Sequence, residues 1–225
     1  MDGAALLILP SPALPATAYA GLAAALRGLG AEATVAAADL GVGESARDLI
    51  ERWSQLVGPD TVLVPHSNAG NLAPSVRAAG AGTQGIVFMD AALPPVTGSA
   101  TLVPPAFREF LSDLAGEVGV LPPWTQWWRR EDLASVIPDT DFAELDRRCP
   151  RLPLSYFDFR VTVPIGWASA QNAYLAFGGT YNEEFELVVG RGWPHARIEG
   201  GHLHFLHDPD AVAARVLSLA SHIAK

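Results

Sequence analysis

The feature that most constrains the fold is a regular alternation of short apolar runs with amphipathic segments. Four apolar runs lie in the first ninety residues, at positions 4–9, 33–37, 61–64 and 85–89. Segments with helical spacing of their apolar residues lie between them, at positions 17–30, 44–57 and 68–79. The runs are continuous rather than alternately polar and apolar, which is typical of parallel strands covered by helices on both faces. We therefore predict an α/β fold built on a mostly parallel, doubly wound sheet.

The alternation stops after Asp90 and resumes near Asn172. The intervening residues 91–170 are rich in proline, tryptophan and arginine, and they are too many for a plain loop in a compact domain. We expect an insertion that packs over the sheet edge, with helices near 107–114 and 141–148. Strands at 172–177 and 194–198, a helix at 181–189 and a last helix starting at Asp208–Pro209 follow. The whole chain, 1–225, is predicted to be one domain with this insertion.

Composition narrows the classes of partner. The net charge of −9 argues against nucleic acid, which is bound by lysine and arginine patches. No apolar run approaches the ~18 residues of a membrane span, and the apolar N-terminus lacks the basic flank of a signal peptide. The single cysteine, Cys149, excludes an intrachain disulfide and fits a reducing compartment. We expect a cytoplasmic protein without a membrane partner; the oligomeric state stays open.

The segment Thr61–Gly70, TVLVPHSNAG, places a serine where a buried strand gives way to a helix. In open parallel sheets, ligands bind beyond the carboxyl ends of the strands. A sharp turn there exposes the Ser67 hydroxyl, as in the nucleophile elbow G-x-S-x-G. In this chain, Pro65 and Ala69 replace the two glycines. The structural alternative is a serine that merely caps the following helix.

This elbow, the strand order, the insertion and a late Gly200-Gly201-His202 together resemble the α/β-hydrolase superfamily over nearly the whole chain. The resemblance implies the α/β-hydrolase fold in a small member that lacks the first two strands, with residues 91–170 as a helical lid. It also implies a triad in the chain order serine, acid, histidine, with no cofactor. Ser67 is then the nucleophile and His202, in the loop before the last helix, is the base that activates it.

The acid is less clearly marked. The family usually carries it after the penultimate strand, where this chain has Thr180, followed by Glu183 and Glu184. Some members carry it at the end of the strand after the elbow helix, where this chain has Asp90. We favour Asp90 and keep Glu183 and Glu184 as alternatives.

The resemblance also implies an oxyanion site formed by two backbone N–H groups. One is that of Asn68, directly after the nucleophile. The other belongs to the loop after the first strand, where Pro12 has no N–H to donate and Ala13 or Leu14 must take the role. We select Ala13.

A bulky apolar substrate suits the aromatic insertion, since such side chains favour apolar ligands. The aromatic residues considered are Trp124, Trp127, Trp128, Tyr156, Phe157 and Trp167. Among these we select Trp124 and Trp128 as substrate-binding residues, together with His66 and His204.

Three functions remain open. The first is hydrolysis of an ester or thioester of a small molecule. The second is a lyase or cyclase reaction on the same scaffold, with His202 as general base. The third is a binding protein without activity. His202, His204 and His207 also have the H-x-H-x-x-H spacing of the metallo-β-lactamase family, but the aspartate before the third histidine is Leu206 here, so we predict no metal. No nucleotide-binding glycine motif is present.

Overall fold

The computed structural model describes residues 5–41 and 43–223 and shows a six-stranded parallel sheet with helices on both faces. The sheet strands are β1 (Ala5–Leu9), β2 (Glu32–Val35), β3 (Thr61–Ser67), β4 (Gly85–Ala91), β7 (Asn172–Phe177) and β8 (His195–Ile198). Their spatial order is β2-β1-β3-β4-β7-β8. The predicted parallel sheet is therefore confirmed. Ala4, the first residue of the first predicted strand, lies outside the described residues.

Helices cover the sheet on both sides. They are α1 (Ala20–Gly28), α2 (Ala46–Ser54), α3 (Ala73–Ala79), α6 (Asn182–Arg191), the single turn α7 (His204–His207) and α8 (Pro209–Ile223). Val62 and Val64 of β3 belong to the same core cluster as α1 and α8, whereas Leu63 belongs to the cluster with α2 and α3. Because both faces are buried in this way, the strands are apolar at every position rather than at every second one.

The chain between β4 and β7, residues 92–171, is called the insert below. Its helices are α4 (Pro105–Ala115) and α5 (Asp139–Arg148), close to the two predicted ones. Its two short strands, β5 (Ser99–Thr101) and β6 (Arg160–Thr162), form an antiparallel pair that joins the two ends of the insert. The sequence did not predict this pair, because strands of three residues in a polar context carry no periodic signal.

The sheet topology brings particular loops together. Since all six strands run in the same direction, the turns that follow β3, β4, β7 and β8 lie at one edge. The strand order reverses between β1 and β3, so the loops that follow these two strands flank a crevice. Ala13 and Ser67, which follow or end these strands, both line a cavity at this edge.

No helix within the described ranges is long and apolar enough to cross a membrane.

Candidate active site

The turn after β3 holds Ser67 in a conformation that few non-glycine residues adopt. Ser67 has φ 58° and ψ −131°, and the short 3-10 helix Asn68–Asn71 begins directly after it. Such residues are uncommon and concentrate at functional sites, where the surrounding structure holds the strained backbone. Ser67 lines the cavity at the carboxyl edge of the sheet. The serine therefore has the geometry of a nucleophile elbow.

Gly70 allows the elbow helix to lie directly against the end of β4. A Cβ atom at this position would lie 2.1 Å from the carbonyl oxygen of Ala92 and 3.0 Å from Cβ of Ala91. The Ala92 N–H donates to the Ser67 carbonyl at 3.1 Å, which fixes the two strand ends to each other. The elbow therefore tolerates Pro65 and Ala69 in its outer positions but depends on the glycine that follows them.

The imidazole of His202 is paired with the carboxylate of Asp90. His202 Nδ1 lies 2.6 Å from Asp90 Oδ2. The other carboxylate oxygen, Oδ1, accepts a hydrogen bond from the Phe177 N–H at 2.9 Å. The Asp90 side chain is fully buried and that of His202 is 12% exposed. Because Nδ1 donates its proton to the carboxylate, Nε2 is the basic nitrogen of the ring.

The backbone around Asp90 is also constrained. Asp90 has φ 41°, the second positive value among the described non-glycine residues. The Tyr174 hydroxyl accepts a hydrogen bond from the Ala91 N–H at 3.1 Å and donates to the Ala91 carbonyl at 2.6 Å. Both peptide groups that follow the carboxylate are thereby fixed, which aims Asp90 at His202.

The other two acids considered, Glu183 and Glu184, lie in the first turn of α6 and line the same cavity. Burial, reinforced by the charges of Glu183 and Asp90, raises the pKa of Glu184. Of the three carboxylates, Asp90 is the one that contacts the imidazole in the described part of the chain.

The Ser67 hydroxyl has a partner that the sequence did not suggest. Its Oγ lies 3.3 Å from the hydroxyl oxygen of Tyr181, in the loop after β7. Across residues 5–41 and 43–223, Ser67 Oγ has no hydrogen bond with His202. Ser67, Tyr181 and His202 all line the cavity, and the rings of Tyr181 and His202 are 5.6 Å apart.

His66, which precedes Ser67 in the chain, is buried and holds the His202 loop. The Tyr19 hydroxyl accepts from the Ser11 N–H at 3.0 Å and donates to His66 Nδ1 at 2.8 Å. His66 Nε2 then donates to the His202 carbonyl at 3.1 Å. The rings of His66 and His202 stack at 4.5 Å. Burial, and then the nearby His202, lower the pKa of His66 well below its usual value.

This buried histidine makes stability depend on pH. A histidine whose pKa is lower in the folded chain binds fewer protons there than in the unfolded chain, where its pKa is about 6.5. Its contribution is therefore complete above about pH 6.5 and is lost as the pH falls. We expect the stability difference between wild type and His66→Gln to shrink by about 1.4 kcal/mol per pH unit below pH 6.

Urea unfolding of both proteins between pH 7.5 and pH 5 measures this difference. Glutamine keeps a donor for the His202 carbonyl and removes the titrating ring. A difference that stays constant with pH would show that the pKa of His66 is the same in the folded and the unfolded chain.

Two backbone N–H groups are available for an oxyanion. The N–H of Asn68 opens the 3-10 helix and therefore has no partner within that helix. In the loop after β1, the Ser11 N–H donates to Tyr19 and the Leu14 N–H donates to the Ser11 carbonyl at 2.9 Å. The Ala13 N–H has no hydrogen-bond partner among the described residues. Ala13 is therefore better suited than Leu14 to donate to a ligand.

The cavity above the elbow has a volume of about 1050 Å³ and is closed on one side by the insert. The insert is tied to the elbow, because the Asn68 side chain donates to the Leu102 carbonyl at 2.6 Å and accepts from the Tyr156 hydroxyl at 2.8 Å. Five of the aromatic residues considered above line the cavity: Trp124, Trp127, Trp128, Tyr156 and Phe157. Trp167 instead packs in the core against Phe88 and Trp193.

Trp124 and Trp128 occupy different parts of the cavity. The Trp124 ring lies 6.3 Å from that of His202. Trp128 is 39% exposed and stacks on Phe107 and Phe110. Trp124 therefore lies next to His202, whereas Trp128 borders solvent.

The other two residues expected to bind substrate lie elsewhere. His66 is buried, and neither His66 nor His204 lines the cavity. His204 packs against Phe177 and stacks on His207 at 6.1 Å. Within the part of the chain that the structure describes, no group of three histidine, cysteine or acidic residues is placed to hold a metal ion.

A scan against protein-family models and a search of curated proteins found no match. Solved structures do match over nearly the whole chain. An extracellular α/β-hydrolase from a Paenibacillus species has a TM-score of 0.72 and 17% identity, with 96% of this chain and 98% of that chain covered. The chain has the α/β-hydrolase fold. This confirms the fold that the sequence predicted.

Two further structures with the α/β-hydrolase fold differ in their reactions. A variant of tomato methylketone synthase I has a TM-score of 0.68 and 16% identity, with 99% of this chain and 100% of that chain covered. The pyrethroid hydrolase PytH has a TM-score of 0.68 and 13% identity, with 98% of both chains covered. At these identities the likeness concerns the fold, so the reaction must be argued from the site.

Sequence reasoning missed Tyr181 and Tyr19. Tyr181 follows the penultimate strand at the place where the α/β-hydrolase pattern carries its acid, so its position was a usable signal. Tyr19 contacts His66 from 47 positions away and carries no such signal.

Proposed function

We propose that this protein is a serine hydrolase that cleaves an ester or thioester of a bulky apolar small molecule. The observation that carries the proposal is the 2.6 Å contact between the carboxylate of buried Asp90 and the imidazole of His202. His202 lines the same cavity as Ser67, whose backbone is strained. Orienting a histidine by a buried carboxylate is the way in which hydrolases convert a weakly nucleophilic serine into a strong one.

Each residue then has a defined task. Ser67 Oγ attacks the carbonyl carbon, and His202 Nε2 takes its proton and later gives it to the leaving group. Asp90 fixes the ring and stabilises its charged form. The N–H groups of Asn68 and Ala13 bind the oxyanion. In the second half of the reaction, water attacks the acyl group with His202 as its base, and Ser67 is the leaving group.

The cavity supports the proposed substrate class. Its aromatic lining and its volume of about 1050 Å³ suit a large apolar group, with Trp124 next to the reacting carbonyl and Trp128 near the entrance. We propose that the insert acts as a lid over this group. The proposal needs no metal or other cofactor.

A second candidate is a lyase or cyclase that uses His202 as a general base without covalent catalysis. One observation favours it. Within the described ranges, Ser67 Oγ forms its hydrogen bond with the Tyr181 hydroxyl and none with His202, the base that would have to activate it. A binding protein without activity is the third candidate.

Labelling by a fluorophosphonate probe separates these candidates. We expect the probe to add to Ser67 in the folded wild type, and peptide mass spectrometry locates the adduct. Ser67→Ala is the control that must lose it. Absence of an adduct from a folded, monodisperse wild type would contradict covalent catalysis and favour the second or third candidate.

A further inference from the structure

Tyr181 lies closer to the proposed nucleophile than its position in the sequence suggests. It ends the loop after β7, and its hydroxyl oxygen lies 3.3 Å from Ser67 Oγ. The Tyr181 ring is beside His202, with 5.6 Å between the ring centroids. Because Asp90 supplies the carboxylate from β4, the loop after β7 is free to present a phenol to the reacting oxygen.

The surroundings of the phenol keep it protonated, so that it has a proton to donate to Ser67. Burial raises the pKa of Tyr181, and the negative charges of Asp90 and Glu184 act in the same direction. The phenol therefore keeps its proton over the working range of the protein and is able to donate it in a hydrogen bond. In the described part of the chain, the hydrogen-bond partner of the phenol is Ser67 Oγ, and at this contact either hydroxyl could be the donor.

We propose that Tyr181 is a further catalytic residue, whose O–H donates a hydrogen bond to Ser67 Oγ and stabilises the negative charge that develops there. This inference rests on the proposed serine hydrolase function. Ser67 Oγ accepts from the phenol and keeps its own proton for His202. A donor to a charged oxygen in a site shielded from water is worth far more than one to a neutral hydroxyl.

The proton balance is simple, because Tyr181 keeps its proton throughout. In acylation, the Oγ–C bond forms, the Ser67 proton passes to His202 Nε2 and the carbonyl electron pair moves to the oxyanion. The carbonyl then re-forms as the bond between the carbonyl carbon and the leaving group breaks, and His202 gives its proton to the departing group. In deacylation, His202 takes a proton from water, the new C–O bond forms, and the C–Oγ bond breaks as His202 returns the proton to Oγ. The phenol stabilises the negative charge that develops on Ser67 Oγ, both when Oγ attacks in acylation and when it leaves in deacylation.

The opposite arrangement makes an opposite prediction. If Ser67 donated to Tyr181, the phenol would hold the serine proton away from His202 and would slow the attack. Removing the phenolic oxygen would then increase the reactivity of Ser67, whereas the proposal expects a decrease.

The test is the second-order rate constant for labelling of Ser67 by the fluorophosphonate probe in wild type and Tyr181→Phe. Phenylalanine keeps the ring against His202 and removes the hydroxyl alone. We expect the rate constant to fall by about ten- to a hundred-fold. In the pH profile, the plateau should fall and the midpoint should stay in place, because the base is unchanged. A displaced ring would move the midpoint instead.

Thr61→Val is the matched control, since Thr61 is a buried hydroxyl at the opposite end of β3 that accepts from the Gly58 N–H. It should label at the wild-type rate. An unchanged or higher labelling rate constant in Tyr181→Phe, or a shifted midpoint of its pH profile, would overturn the inference about Tyr181. Labelling of the wild type would in that case still support the proposed hydrolase function. Unlabelled wild type would instead refute the proposed function itself.

Discussion

Asp90→Asn is expected to lower the rate constant for labelling of Ser67 by about ten-thousand-fold. The reason lies in how the new amide must orient. The Phe177 N–H needs an acceptor, so the amide oxygen takes the place of Oδ1. The amide NH₂ then faces His202 Nδ1, where Oδ2 lies now. Nδ1 is forced to accept, the ring proton moves to Nε2, and the nitrogen needed as base is blocked.

Glu183→Gln and Glu184→Gln are the matched controls, because they remove the other two carboxylates that line the cavity. We expect both to stay within about three-fold of wild type, as neither acid contacts the imidazole in the described residues. Labelling rates of the three variants, with circular dichroism to verify folding, decide the assignment. If the labelling rate constant fell strongly in Glu184→Gln and only slightly in Asp90→Asn, the acid that orients His202 would be Glu184 of α6 rather than Asp90.

The sheet was predictable from the sequence because its physical cause is local. Strands buried on both faces are apolar at every position, and the run at 85–89 reports this directly. The helices and proline-rich loops of the insert were predictable, but the pairing of its two short strands was not. β5 and β6 are separated by nearly sixty positions, and which short polar strands pair over that distance is decided by tertiary packing rather than by local pattern.

The site was predictable to the extent that a sequence marks strand ends. Ser67 and Asp90 end adjacent strands and His202 follows the last one, so topology alone brings them to one edge. Side-chain direction is not marked in this way. His66 and Ser67 are consecutive, yet the first points into the buried network with Tyr19 and the second lines the cavity, because the backbone turns sharply at Ser67, where φ is 58°.

Gly70→Ala is expected to destabilise the protein by about 4 kcal/mol and to leave little folded protein at 37 °C. The new Cβ would lie 2.1 Å from the Ala92 carbonyl oxygen. That oxygen belongs to the backbone, so it moves only if the chain after β4 moves with it. The preceding peptide group is held in place, because the Ala92 N–H donates to the Ser67 carbonyl. Relief requires the elbow helix to move away from β4, which would displace the Ser67 hydroxyl as well.

Gly190→Ala is the control with the opposite expected sign. Gly190 lies in α6, and a Cβ there would meet nothing within 4 Å. Alanine should therefore stabilise the protein by about 0.5 kcal/mol, since it restricts the unfolded chain without a clash. Urea unfolding of both variants gives the comparison. If Gly70→Ala unfolds at the wild-type urea concentration, the elbow helix has room to move away from β4, and the close approach to β4 is not what fixes Ser67.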